Sequence, residues 1–528
     1  MFDYIKNVYR QINKIYQIKK QLDKIHNALP TYKTLDNSID ALKPKFDNLK
    51  TMIFNCGSLY VKFLQWYISK LKSNVINIKC TDNNETNETN ETTETTEPTE
   101  PTENNLEAQN TIKFINYFED IFENCPFHSL EHTKTIFRNS MAGIELGDYV
   151  DIDSLKEYAS GSIGQVYYAR RTRDGKEIAI KVKHPDITTD LENQLELIKL
   201  LRFLQSFSFI RKRFNLIFNI DDFINDISLQ CDFRNEAYNC NKFRANFKDS
   251  SDFIIFPEII FQSEDVLISD YIPGESINIL SDMQKNQITL NFMCFFYQML
   301  FVDNFIHGDL HCKNWKVKFN DFGKPQLIIY DCGICFQNIS TELSNDFWFS
   351  IGKYDIEKLM QTTKHFITVA NTSISDEILS SEINKIFKTI LKDSMNTTFV
   401  LKSLINFFTK NNIIIHKFLL NFSILMCLIE EFLHKNDILN RERHNSTSVS
   451  MFDIITDSQL DIISFCQVNK CYPQVCALLQ KELENKYIEY KRNTLENNIN
   501  EEKENANANT PTLFSSISLS GLKFKLPE

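Results

Sequence analysis

Glycine is scarce in this chain: only 12 occur in 528 residues, about a third of the roughly 7% usual in globular proteins. Turns that need positive φ or close backbone approach are therefore rationed, and seven of the twelve (Gly161, Gly164, Gly175, Gly274, Gly308, Gly323, Gly333) fall between 161 and 333. The chemistry is expected in that third of the chain. Long apolar runs are also missing. Leu290–Val302 and Ile413–Ile429 are too short, or are broken by Gln298 and by His416-Lys417, for the ~20 residues of a spanning helix. A soluble or peripheral protein follows. There is no excess of base: 58 Lys+Arg against 69 Asp+Glu give a net charge of −11, so no nucleic acid is expected among the partners. The 13 cysteines are odd in number and scattered, with no cleavable leader ahead of them. That pattern fits a reducing intracellular compartment rather than a disulfide framework.

What is present is enough apolar material for a large core, 42% hydrophobic with 43 Phe, in a length that holds two to four ordinary domains or one large enzyme with extensions. The acid is localised. Residues 81–105 carry eight acids and no base in repeated Asn-Glu-Thr and Glu-Pro-Thr units, eight of the eleven excess negative charges. Such a stretch cannot bury enough apolar area to offset its ordering entropy. The expected organisation is a helical extension over 1–79, an acidic disordered linker over 80–110, an N-lobe over 111–272, a helical C-lobe over 273–490 and a disordered tail over 491–528. Within it, Val166–Ala169 and Glu177–Val182 flank an Asp174-Gly175 turn as one hairpin, and Val317–Phe319 with Leu327–Tyr330 form a second. Helices are expected around 188–208, 221–247 and 285–304, and strands at Ile254–Ile260 and Val266–Ile268. Strands first and helices after predict a two-lobed α+β fold.

Three segments of this region suit phosphate chemistry. Ala159-Ser-Gly-Ser-Ile-Gly-Gln-Val166 supplies small residues before a strand, so that backbone N–H groups can approach an anion, and Lys181 on the next strand can reach the same phosphates. Taken alone, such a turn is common and a mid-strand Lys is usually a solvated edge residue. His307-Gly-Asp-Leu-His-Cys-Lys-Asn314 spaces Asp309 and Asn314 five apart, as where an Asp orients an attacking hydroxyl and an Asn holds Mg²⁺. Asp331-Cys-Gly333 follows the second hairpin and reads as a metal-binding Asp-Phe-Gly with Cys in the middle.

With Asp232-Phe-Arg-Asn-Glu-Ala-Tyr-Asn239 and Ile178-Ala-Ile-Lys-Val-Lys-His-Pro185, these segments resemble the UbiB/ADCK (aarF-domain) atypical kinases over roughly 50–340. The resemblance implies a protein-kinase-like fold binding Mg-ATP between its lobes, with the family's alanine-rich loop at Ala159, Ser160, Gly161 and Ser162. It further implies that Lys181 pairs with Glu236 and contacts the phosphates. Asp309 is then the catalytic acid, Asn314 and Asp331 the metal ligands, and Ser269 to Tyr271 the hinge against adenine. The acceptor, whether protein, lipid or small molecule, is left open. The family's N-terminal Lys-x-Gly-Gln motif corresponds to Lys62 and Gln65, with Leu64 in the Gly place, and its Glu-x-Asp motif to Gln230 and Asp232. Replacing the first acid by Gln230 is expected to weaken an autoinhibitory pairing with Lys62, and Gly161 in place of the loop's third alanine to ease phosphate approach.

Other readings compete. His307, Asp309 and His311 alternate along one face and could form a metal triad; the cysteines at 332, 335, 466, 471 and 476 invite a zinc reading but lack paired spacing, and buried thiols suit them better. The Phe-rich stripe at 291–305 reads as core rather than a lipid pocket. Leu64, Gln230 and Cys332 favour a pseudokinase scaffold, against which stand the five retained residues Lys181, Glu236, Asp309, Asn314 and Asp331. The family also suggests an accessory role in isoprenoid-quinone production. Met1–Lys20, with five Lys/Arg and one acid, suits peripheral membrane contact or a targeting segment.

Overall fold

The computed structural model describes residues 38–57, most of 60–68, 117–118, 124–187, 220–337, 340–419 and 459–484, with short gaps inside these ranges and isolated positions before 38. The expected linker, the helix around 188–208 and the tail lie outside the described residues. The chain divides into units 1–475 and 476–528. In the second, residues 476–484 are helical.

Apolar spacing builds the first helix, α1 (Ser38–Phe54), whose Phe46, Leu49 and Ile53 form a buried stripe. Helix α2 (Leu130–Ser140) starts where the Ser129 side chain accepts from His132 N–H, satisfying one of the orphan donors of its first turn. It turns Phe137 into the sheet that follows. Strands β1 (Val150–Ser160), β2 (Gly164–Arg171) and β3 (Glu177–Lys183) are followed by helices α3 (Ile220–Gln230) and α4 (Phe233–Asn246). Three further strands come next: β4 (Ile254–Ile255), β5 (Ile259–Gln262) and β6 (Val266–Asp270). The five-stranded antiparallel sheet has the order β1-β2-β3-β6-β5. Period-2 alternation sends Ile178, Ile180 and Val182 of β3 into the core with Phe137, Leu146 and Tyr167 and Ala179 and Lys181 to the other face.

The sequence departs from expectation at two places here. Ile254–Ile260 is not one strand: β4 pairs in parallel with a C-lobe strand, Ile254 opposite Leu327, whereas β5 pairs with β6. Pro257 between them has no N–H to continue a ladder. Strand β1 has no counterpart among the expected elements, because its acids and lysine leave all but Val150 and Ser160 short of full burial, and two register shifts break its pairing with β2.

The second lobe begins with α5 (Asp282–Tyr297), opened by a Ser281–Gln284 capping box and continued by a π-helical turn at Gln298–Val302. Its Phe292, Phe295 and Phe296 are fully buried, so the aromatic stripe is core. Strands β7 (Ile306–His307), β8 (Trp315–Phe319), β9 (Pro325–Ile329) and β10 (Cys335–Phe336) make two small sheets, β4-β9-β8 and β10-β7. Helices α6 (Thr341–Gly352), α7 (Ile356–Val369), α8 (Asp376–Asp393), α9 (Thr397–Lys410) and α10 (Gln459–Asn469) complete the lobe. This is the protein-kinase-like two-lobed α+β fold. No disulfide occurs among the described residues, and no described helix is long and apolar enough to cross a membrane.

Candidate functional site

Between the lobes lies a cleft of about 430 Å³, and the sheets explain how distant residues meet in it. Strand β7 pairs with β10, His307 opposite Cys335, which holds the segment before Asp309 against the segment after Asp331. The two backbones approach at Gly308, whose N–H donates to Ile334 O at 2.8 Å. A Cβ there would stand 2.8 Å from Ile334 Cγ2. The β8–β9 hairpin adds a second tie, since Tyr330 N–H donates to Asn314 O at 2.8 Å.

Lys181 reaches across from β3. Its Nζ lies 2.8 Å from Glu236 Oε2 on α4 and 3.3 Å from Asp331 Oδ2. Burial disfavours the ammonium, but Asp331 and Glu236 outweigh it and hold its pKa above the ordinary lysine value. For Asp331, burial is likewise outweighed by Lys181, Lys62 and the Gly333 N–H, so its carboxyl is held below the usual range. Asp331 also sits at φ +45°, a left-handed backbone uncommon outside glycine, stabilised by Gly333 N–H donating to its Oδ1 at 3.1 Å. Asn314 is buried and its Nδ2 donates to Asp309 O at 2.8 Å, fixing the amide beside the acid and leaving its oxygen for a cation.

The remaining expected residues have separate placements. Ala159, Gly161 and Ser162 line the cleft, and Ser160 is buried beneath it. The Ser162 hydroxyl donates to Gln65 Oε1 at 3.4 Å, so the N-terminal extension touches the loop. Lys62 lines the same cleft; burial lowers its pKa while Asp309 and Asp331 oppose that shift. Ser269 and Tyr271 line the cleft, where the Tyr271 ring packs against Tyr168 and Tyr158 with centroids 4.8 and 5.8 Å away. Gln230 lines the cleft but donates its amide to Asp226 O of its own helix, and Asp232 caps α4 and pairs with Arg234. Of the two uses open to the loop's glycines, close approach applies at Gly164. Gly164 is required by close approach rather than by φ, because a Cβ would stand 2.8 Å from Val182 O.

The competing metal triad does not assemble. His307 Nδ1 accepts from Asp309 N–H and His307 Nε2 faces Tyr330 O, so both ring nitrogens are engaged. Among the described residues no group of three His, Cys, Asp or Glu is arranged for a metal. Sequence reasoning missed Tyr158, Lys313 and Lys316, which line the cleft. The second and third immediately flank Asn314-Trp315 and were within reach of that motif; Tyr158 belongs to the unanticipated β1.

Comparison with known proteins agrees with this geometry. The ABC1 atypical kinase-like domain matches residues 105–363. The chain is 32% identical over 216 residues to a probable serine/threonine-protein kinase, abkC, of Dictyostelium discoideum, covering 39% of this chain and 30% of that one. It is 30% identical over 194 residues to a probable protein kinase UbiB of Aliivibrio fischeri, 35% of each. With AarF domain-containing protein kinase 1 of Mus musculus it shares 27% over 248 residues, 45% of this chain and 46% of that one. The match thus spans 30–46% of these relatives' lengths. Through residues 105–363 the chain belongs to the ABC1 atypical kinase-like family, the UbiB/ADCK group.

Proposed function

We propose that the chain binds Mg-ATP in the cleft between its lobes and transfers or hydrolyses the γ-phosphate. The observation that carries this reading is the convergence of Lys181 Nζ on Glu236 at 2.8 Å and Asp331 at 3.3 Å, with Asn314 tied to Asp309 across the same cleft. Lys181, kept charged and aimed by two carboxylates, binds phosphate oxygens. The Asp331 carboxylate and the Asn314 amide oxygen are hard donors that fit Mg²⁺. When bound, the ion neutralises phosphate charge. Asp309 orients the acceptor hydroxyl or water, and Ala159 to Ser162 close the phosphate end. Acceptor hydroxyls of a protein, lipid or small molecule all suit an Asp in that role.

A second reading, nucleotide binding without turnover as a scaffold or an accessory of isoprenoid-quinone production, is favoured by Lys62, which lines the same cleft as Asp309 and Asp331. One assay separates the two: ATP consumption with Mg²⁺ by wild type and by Asp331→Asn. Turnover reduced about a hundredfold or more in the variant is expected. Equal turnover in both removes the enzyme reading, and binding without turnover in wild type selects the scaffold.

A further inference from the structure

A file of polar side chains runs behind the loop that closes the phosphate end of the cleft. His184, one residue past β3, has its Nε2 3.0 Å from Gly161 O and 3.3 Å from Ser160 Oγ. Its Nδ1 lies 2.7 Å from Nδ1 of His128. His128 Nε2 lies 2.8 Å from Thr133 Oγ1, which is 2.7 Å from the Tyr167 hydroxyl. The backbone of His128 is fixed as well, its N–H donating to Gln165 Oε1 at 2.9 Å. Neither histidine lines the cleft.

The order of protons in this file is determined. A carbonyl oxygen only accepts, so His184 carries its proton on Nε2 and, as a neutral ring, presents a lone pair at Nδ1. His128 must then donate from Nδ1, which leaves its Nε2 to accept from Thr133. The one hydroxyl proton of Thr133 is thereby used, and Tyr167 donates to its oxygen. Burial lowers the pKa of both histidines, with His132 adding to the effect, which agrees with two neutral rings. Across a planar trans peptide the C=O and the next N–H point in opposite directions. Holding the Gly161 carbonyl toward His184 therefore turns the Ser162 N–H to the opposite side.

We propose that His184 and His128 are positioning residues for phosphate: the relay from Tyr167 to Gly161 keeps a repulsive carbonyl off the anion and presents the Ser162 N–H in its place. This rests on the nucleotide reading above. The test uses the full chain, calorimetric binding of Mg-ATP, pyrophosphate and adenosine, and ¹⁵N NMR of the imidazoles. His184→Leu is expected to weaken Mg-ATP and pyrophosphate about tenfold and His128→Phe several-fold, while adenosine, which has no phosphate, binds as before. His184→Gln, whose amide can donate to Gly161 O, should recover part of the loss. In wild type His184 should show the Nε2–H tautomer, and His128→Phe should give a mixture.

Folded His184→Leu and His128→Phe that bind pyrophosphate like wild type overturn the proposal, as does an Nδ1–H tautomer at His184. If His184→Leu does not fold, His128→Phe and the tautomer decide it. Wild type that binds adenosine, ATP and pyrophosphate not at all overturns the proposed function, and the anion this loop would face goes with it.

Discussion

Removing the Lys181 charge tests the electrostatics of the cleft most directly. Lys181→Met keeps the apolar stem and deletes the cation, and with it the approach of Nζ to the Phe233 ring, whose centroid lies 5.3 Å away. Glu236, whose side chain is only 10% exposed, then faces a cleft without its partner. Breaking a buried pair at one end costs about 3–5 kcal/mol in general, but a carboxyl can escape by taking a proton. From its ordinary value of 4.5, at about 1.36 kcal/mol per pH unit, escape limits the cost to about 4 kcal/mol at pH 7.5 and about 1.4 at pH 5.5. Asp331 loses the same cation, but with its side chain 48% exposed solvent screens much of that loss. Urea unfolding followed by circular dichroism at the two pH values should show Lys181→Met destabilised most at pH 7.5. Adding Glu236→Gln should restore much of the loss there. A deficit that ignores pH, or no rescue by Glu236→Gln, refutes this account of the triad.

Other consequences follow from the packing. Gly308→Ala places a methyl 2.8 Å from Ile334 Cγ2 and 3.1 Å from two Phe336 ring carbons; overpacking of this kind costs about 1–3 kcal/mol. The thermal midpoint should fall and ATP turnover with it, because Asp309 is the next residue, and an unchanged midpoint contradicts the close approach. His128, its pKa pushed down to about 3 by burial and by His184 and His132, is neutral when folded and takes a proton when unfolded below pH ~6.5. The unfolded state then binds more protons, so this stability is complete above pH ~6.5 and is lost as pH falls. Wild-type midpoints should decline between pH 6.5 and 4.5 more steeply than those of His128→Gln; parallel curves would exclude the contribution.

The family was legible in the sequence because its signatures are short runs whose spacing survives in one dimension. Asp309 and Asn314 stand five apart, and Asp331-Cys-Gly333 follows a hairpin; both hairpins were also readable, since β2–β3 and β8–β9 are local pairings joined by tight turns. Elements lacking a local signal were not. The acids and lysine of β1 leave it mostly exposed, so it carries no apolar signal, and the fate of 254–260 depended on β9, far along the chain, which pairs Leu327 with Ile254.

The sequence by itself determined which residues were available for chemistry and where the two hairpins and the helices around 221–247 and 285–304 lie, because propensity and periodicity act over a few residues. Tertiary structure alone decided who meets whom. Lys181 and Asp331, 150 positions apart, meet because β3 and the β7–β10 pair face one cleft. Gln230, in the place of the acid that the family's motif pairs with Lys62, turned to its own helix, and Asp232 became a cap. The His128–His184 contact spans 56 positions and leaves no trace in spacing, since long-range pairing is selected by burial and by hydrogen-bond satisfaction across the assembled core rather than by neighbours in the chain.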